Sequence, residues 1–189
     1  MSKIEIYKRQ ESLSKYKEPK DFISMSPANA TIELRHIKSE NDILLSVKNQ
    51  ETPSISTLKK HHGEEKVIAY LFLWILDLNM ALGVKNTMSE PQINECAFFI
   101  IEDYYYLKIA DFKLFFTNIK KGKLGILYES LSTPKILEWL EKYVIERTLM
   151  FENSEILEEK RSKKEEAECK LGSIKSIKES LEIRKQLKR

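Results

Sequence analysis

The sequence predicts an all-α protein, in which a single helical domain is followed by an extended, charged C-terminal helical tail. Only five glycines and five prolines occur in 189 residues, and so few helix breakers favour long helices over many short strands. Apolar residues recur at helical spacing from residue 64 to residue 151, and no aromatic residue follows Phe151. The length is sufficient for one sizeable hydrophobic core and an appendage.

Changes in composition divide the chain into three segments: a charged N-terminal arm of residues 1–27, a helical core of residues 28–151 and a charged tail of residues 152–189. The arm lacks the apolar centre of a secretory signal. Cys96 and Cys169 lie far apart and form no readable disulfide framework, which favours a reducing, cytoplasmic compartment. The net charge of +3 does not by itself indicate a nucleic-acid partner.

The sequence of the first part of the core predicts short secondary-structure elements. Residues 29–48 alternate between apolar pairs and polar residues, which fits short helices, although the first residues of this segment also alternate as a strand would. After a break, Ser54 or Ser56 is expected to cap a helix that begins near Ile55 and runs toward His61.

Residues 64–82 predict an apolar helix, which two glutamates open and Gly83 ends. Because this helix is apolar around most of its circumference, we expect it to lie at the centre of a helical cluster. The alternative is a membrane span over Val67–Val84. Asp77 near its middle and the shortness of the apolar run favour a buried core helix instead.

Two further helix starts follow. Ser89 and Gln92 predict a capping box, after which helical spacing continues from residue 93 to residue 119, until the glycines of the sequence KKGKLG end the helix. The Ser-Thr-Pro sequence at residues 132–134 opens another helix, with Trp139 at the edge of its apolar stripe.

The tail predicts an extended, solvated helix. Apolar residues at positions 167, 171, 174, 177 and 181 keep helical spacing over about two heptads, which is fewer than a coiled coil needs. We expect this helix to dock on a partner chain or to join copies into a homo-oligomer. Gly172 predicts a break or bend.

The sequence contains no complete catalytic or metal-binding motif, so we expect no enzyme activity and no cofactor. His61 and His62 are adjacent, whereas histidines that share a metal on one helix stand four residues apart.

Aspartates inside apolar stretches need a partner if they are buried, and Lys108, Lys113 and Arg147 are candidates. On one continuous helix, Asp103 and Asp111 would lie roughly 12 Å apart. Acid–base or metal chemistry is the alternative, but no histidine or cysteine accompanies them. Four residues are predicted to be structural buried polar groups: Asp77, Asp103, Asp111 and Arg147.

Basic segments are the candidates for contact with nucleic acid or a partner protein. The turn at residues 118–125 combines lysines with glycines, and backbone amides and lysines together hold phosphates; a solvated connection is the alternative. The helix after Pro134 is too acidic to read a DNA groove. The tyrosines at positions 104–106 fit either a stacking platform for bases or core packing. The basic residues concerned are Lys120, Lys121 and Lys123 in the turn, and Arg184, Lys185 and Lys188 in the tail.

Residues 103–147 carry a resemblance. The series DYYYLKIADFKLFF, KKGKLGILYESL and ILEWLEKYVIER is similar to an uncharacterised helical protein family of Bacteroidetes chromosomes, phages and mobile elements. The resemblance implies a small cytoplasmic factor that serves DNA replication or the maintenance of a mobile element. It covers roughly a quarter of the chain and assigns no catalytic residue to it.

Two functional hypotheses follow from these observations. The first is a non-enzymatic adaptor in a DNA transaction, such as a replication accessory or helicase-loader-like factor, which contacts a protein partner and nonspecific DNA but no membrane. The alternative is a structural or assembly protein that oligomerises through its C-terminal helix. An enzyme that uses the core aspartates is a third and less favoured reading.

Overall fold

A computed structural model of the chain describes residues 22–125 and 130–186, and it describes side chains in residues 22–125 and 130–165. Within these residues there are seven helices and no β-strand, so the predicted all-α class is confirmed. The helices are α1 (Pro27–Glu33), α2 (Glu40–Lys48), α3 (Ile55–His62), α4 (Glu64–Leu82), α5 (Glu90–Asp103), α6 (Ile109–Lys120) and α7 (Thr133–Gln186).

The chain divides into two compact units, Met1–Glu146 and Arg147–Arg189, and the division falls inside α7. Most of the predicted N-terminal arm, residues 1–21, lies outside the described residues. Phe22 and Pro27 are buried, because their apolar side chains gain by leaving water. The core of the first unit therefore begins before residue 28.

Helix α4 lies at the centre of the first unit, with the bounds that the sequence predicts. It packs against α1, α3, α5 and α6. Trp74 is 1% exposed, and its ring stacks on Phe116 of α6 with 5.4 Å between the ring centroids. Complete burial of a large apolar side chain of this kind contributes about 1.5–3 kcal/mol. Gly83 ends α4 with a φ of 57°, a conformation that glycine adopts without steric cost.

Membrane crossing was the alternative for this apolar segment. No described helix is both long enough and apolar enough to cross a membrane. The cytoplasmic compartment stays a prediction.

The helices before α4 are short and begin at serine caps. Ser26 precedes α1, and Ser39 forms a capping box with Asp42, whose Oδ2 accepts from Ser39 N at 3.0 Å. Of the two predicted caps, Ser54 is the one that caps α3, because its Oγ accepts from Thr57 N at 3.2 Å. These caps satisfy N–H groups that have no partner within their own helix. The short-helix interpretation of residues 29–48 is therefore confirmed over the strand alternative.

The predicted continuous helix over residues 93–119 is wrong, because α5 ends at Asp103 and α6 begins at Ile109. The backbone of the intervening segment bonds to the start of α3 instead of continuing a helix. Leu107 O accepts from Ile55 N at 2.9 Å, and Tyr105 O accepts from Ser56 N at 2.8 Å. The segment thereby supplies the acceptors that the first N–H groups of α3 need.

Helix α7 begins at Thr133, at the predicted Ser-Thr-Pro start. Trp139 is 1% exposed and therefore belongs to the core rather than to the edge of the apolar stripe. The helix also continues through Gly172, so the predicted break there is wrong. A single glycine costs a helix only about 1 kcal/mol relative to alanine, which neighbouring helix formers can offset.

Candidate interaction surfaces

The basic turn, which we define as Lys120, Lys121 and Lys123, follows directly from the end of α6. Lys121 is the C-cap of α6, and Gly122 has a φ of 72°, which reverses the chain. Lys123 N then donates to Asn118 O at 3.0 Å. This geometry fixes the backbone and leaves all three lysines exposed.

The three lysines of the basic turn differ in their electrostatic surroundings. Lys120 Nζ forms an ion pair with the Asp77 carboxylate of α4. In the part of the chain that the structure describes, no ion pair is found for Lys121 or Lys123. Two of the three predicted contact lysines therefore keep charges that are available to a ligand.

A buried lysine lies near the basic turn. Lys113 is 5% exposed, and its Nζ donates to the carbonyl of Ile37, between α1 and α2. Burial lowers the pKa of Lys113, and the positive charges of Lys121 and Lys38 lower it further, while the carboxylate of Asp42 acts in the opposite direction. Burial is therefore the main cause, and the nearby lysines and the carboxylate of Asp42 act on Lys113 in opposite directions.

A groove of about 760 Å³ lies between α3 and the end of α5. Tyr105 lines it and is 55% exposed, and its ring meets that of Tyr106, which is 41% exposed, edge to face with centroids 5.7 Å apart. The core-packing interpretation is therefore wrong for these two tyrosines, because the backbone bonds of their segment to α3 hold them at the surface. The groove is lined by Ser56, Thr57, Lys59, Lys60, His61, Ile101, Glu102 and Tyr105.

The charge of the groove is partly balanced from within. Lys59 Nζ lies 2.6 Å from Glu64 and 3.3 Å from Glu102, and its hydrogen bonds to these carboxylates raise the pKa of Lys59. The exposed tyrosines could stack on bases, but a phosphate chain would compete with two carboxylates for Lys59. The groove is therefore less suited to nucleic acid than the basic turn.

Asp111 is the one predicted core aspartate that is completely buried, and of the predicted partners Lys108 bonds to it through its backbone N–H. Its Oδ2 accepts from the backbone N–H of Lys108 at 2.9 Å, which caps α6. Its Oδ1 accepts from the hydroxyl of Tyr143 in α7, also at 2.9 Å. This carboxylate therefore joins α6 to the first part of α7.

The predicted burial is wrong for Asp77, Asp103 and Arg147. Asp103 is the last residue of α5 and is exposed, because the helix ends there instead of continuing through the core. Asp77 is half-buried and bonds to Lys120 at the surface. Arg147 is half-buried in the second unit and lies over the ring of Phe151, with 4.4 Å between the guanidinium carbon and the ring centroid.

The remaining predicted residues have few described surroundings. Arg184 and Lys185 lie on the described backbone of α7, but their side chains are outside the described part, and Lys188 is outside it entirely. His61 and His62 end α3. Among the described residues, no group of three or more histidines, cysteines or carboxylates could hold a metal ion.

The second unit presents apolar side chains to solvent. Leu149, Ile156 and Leu157 of α7 are 54%, 50% and 65% exposed. Leu149 and Ile156 are seven residues apart and so lie on nearly the same face, two turns apart. These residues are a candidate interaction surface that the sequence analysis did not single out.

Comparison with known proteins gives no relative: no family model matches the chain, and neither a curated protein nor a solved structure gives a significant match. The resemblance of residues 103–147 to the Bacteroidetes and phage family stays a prediction.

Proposed function

We propose that this protein is a non-enzymatic adaptor in a DNA transaction, of the replication-accessory or helicase-loader type, and that its basic turn contacts the DNA backbone. The observation that carries the proposal is the geometry of the basic turn. Gly122 reverses the chain there, and Lys121 and Lys123 are exposed, with no ion pair found for either among the described residues. Exposed lysines beside a glycine turn offer charges and backbone N–H groups to a phosphate.

Lys121 and Lys123 are the side chains that would reach the phosphates, and Lys38 would add a third charge. So few contacts predict weak binding without base specificity, because phosphate contacts carry no sequence information. The described residues offer no groove-reading helix with the polar residues that base recognition requires, since α7 begins with alternating lysines and glutamates. We therefore expect binding that weakens steeply with salt.

The test is fluorescence anisotropy with labelled duplex and single-stranded DNA at low salt. The double substitution Lys121→Gln and Lys123→Gln should weaken binding at least about ten-fold, because two charge–phosphate contacts are lost. The matched control is Lys60→Gln with Lys66→Gln, which removes the same charge from exposed residues of α3 and α4.

Binding that the control weakens as much as the test pair would place the contact elsewhere. If the wild-type chain binds no DNA at low salt, the adaptor proposal fails in its DNA part.

A second candidate function is assembly through α7. The observation that favours it is the exposure of Leu149, Ile156 and Leu157 on a helix of 54 residues. Light scattering on the full chain and on a chain that ends at Phe151 tests it. Oligomers that vanish on truncation support assembly, whereas a monomeric full chain at every concentration excludes it.

A further inference from the structure

Charges on α7 alternate in blocks along the second unit. Residues 152–159 contain four glutamates and no basic residue, and residues 160–164 contain four basic residues and no acidic one. All of these positions lie on the described helix. We call them the acidic block (152–159) and the basic block (160–164).

Ion pairs within α7 hold these charges only weakly. Lys163 lies 3.5 Å from Glu159, and Arg161 lies 2.7 Å from Glu165, but their side chains are 61–80% exposed. Pairs in such exposed positions are screened by water and salt, and their side chains can exchange partners at little cost. The two blocks therefore stay open to an oppositely charged surface.

We infer that α7 binds a second copy of itself in antiparallel orientation, with the acidic block of each copy against the basic block of the other. This inference rests on the proposed assembly function and adds the partner and its direction. The two-fold axis lies near the junction of the blocks, between Glu159 and Lys160. Two-fold pairing of this kind uses the same surface on both copies.

The antiparallel direction follows from charge complementarity. In a parallel pair in register, each block would lie level with the same block of its partner, so that four glutamates would face four glutamates. Reversing one helix brings unlike blocks together at both ends of the junction. Charge pairs at the edges of helix pairs select partner and orientation in this way.

Apolar residues on both sides of the blocks offer apolar surface that an antiparallel pair would bury. Leu149 and Ile156 precede the junction, and the apolar positions 167, 171 and 174 follow it at helical spacing. An antiparallel pair centred near the junction places Leu149 of one copy level with the turn that contains residues 167–171 of the other. Burial of each leucine or isoleucine then reinforces the charge pairing.

Disulfide trapping distinguishes an antiparallel pair of α7 helices from a parallel one. Disulfides form only when two Cα atoms approach within about 7 Å. Cys96 is completely buried and takes no part, so Cys169 is the natural reporter. In the antiparallel pair the two Cys169 residues are separated by more than about 20 Å, at 1.5 Å per residue. In the parallel pair they are level.

The full chain should therefore resist oxidative cross-linking at Cys169. In a Cys169→Ser chain, Glu159→Cys and Lys160→Cys are introduced one at a time, because neighbouring residues point about 100° apart and at least one will face the partner. We expect a cross-linked dimer from at least one of these chains and none from Cys169. Cross-linking at both places would mean a parallel pair, which overturns the inferred direction but keeps the assembly function.

Charge reversal tests independently whether the charged blocks drive the pairing of α7. At 100° per residue, Lys160 and Lys163 of the basic block and Glu152 and Glu159 of the acidic block lie within about 80° of the Leu149–Ile156 face. Lys160→Glu and Lys163→Glu together should weaken self-association in analytical ultracentrifugation at least ten-fold. Reversal of the acidic block in the same chain, by Glu152→Lys and Glu159→Lys, should restore it. Unchanged association of the first variant overturns the charge pairing. A monomeric wild-type chain that gives no cross-link at any of the three positions overturns the inference and the assembly function together.

Discussion

The substitution Tyr143→Phe isolates one buried hydrogen bond between α6 and α7. The Tyr143 hydroxyl donates to Asp111 Oδ1 at 2.9 Å, and the two residues are 1% and 0% exposed. Phenylalanine keeps the ring, whose centroid lies 5.8 Å from that of Phe115, so that the apolar packing is preserved. The change therefore removes the hydrogen bond and little else.

The expected loss is about 2 kcal/mol in the free energy of unfolding. A hydrogen bond to a charged group contributes about 1.5–3 kcal/mol, and a buried carboxylate that loses a donor also keeps its cost of desolvation. For a chain of this length, 1 kcal/mol corresponds to about 2–4 °C in Tm. We therefore expect Tm to fall by about 4–8 °C.

Urea unfolding followed by tryptophan fluorescence measures this loss, because Trp74 and Trp139 are both buried in the first unit. Tyr105→Phe is the matched control, since that hydroxyl is at the surface and its loss should cost less than about 0.5 kcal/mol. A double-mutant cycle with Asp111→Asn should give a coupling of at least about 0.5 kcal/mol. The reasoning is refuted if Tyr143→Phe is as mild as the control or if the coupling is zero.

Three further predictions concern single positions. Gly83→Ala should cost about 1–2 kcal/mol in the same unfolding assay, because alanine is strained at a φ of 57°; a cost near zero would mean that α4 ends differently. In a Cys169→Ser chain the remaining thiol, Cys96, should react with a thiol reagent only on unfolding, because burial raises its pKa to about 12; rapid reaction in the native chain would contradict its burial. Asp42→Asn should flatten the acid limb of the stability curve. Burial works to raise the pKa of Asp42, but hydrogen bonds from the N–H groups of residues 38 and 39 and the hydroxyl of residue 39 hold it below 3.8, so its contribution is present above that pH and lost below it. The urea midpoint of each chain, measured at about pH 5 and at about pH 3, gives its loss of stability in acid. An equal loss in the wild-type and Asp42→Asn chains would contradict the capping role.

Helix α4 shows what the sequence could predict. Its start, its end and its central place all follow from local signals: glutamates in the first turn, a glycine after the last residue and apolar residues on nearly every side. The serine caps of α3 and α5 and the start of α7 are equally local. Elements whose ends depend on nearby residues are therefore predictable from one sequence.

The break at residues 104–108 could not be predicted in this way. Helical spacing continues across it, since Leu107, Ala110 and Leu114 are all buried as a continuous helix would require. What interrupts the helix is a set of backbone bonds to Ile55 and Ser56, which are distant in the chain. Backbone acceptors have no sequence signature, so tertiary pairing overrode the local pattern.

The residues of the basic turn could be predicted from the sequence, but the ion pairs that balance their charges could not. The lysines and glycines of the basic turn are visible in the sequence, but the pairing of Lys120 with Asp77 joins residues on different helices. The same holds for Asp111, whose hydroxyl donor lies in α7, and for Lys113, whose Nζ donates to the carbonyl of Ile37. Partners brought together by packing decide which charges remain for a ligand.

The most direct measurement of the adaptor proposal is the salt dependence of DNA affinity, with and without Lys121 and Lys123 of the basic turn. The slope of log affinity against log salt concentration counts phosphate contacts, at about 0.9 per contact on duplex DNA. Between about 50 and 200 mM salt, the pair Lys121→Gln and Lys123→Gln should reduce that slope by nearly two units relative to the wild-type chain. An unchanged slope would contradict the claim that this turn meets the DNA backbone.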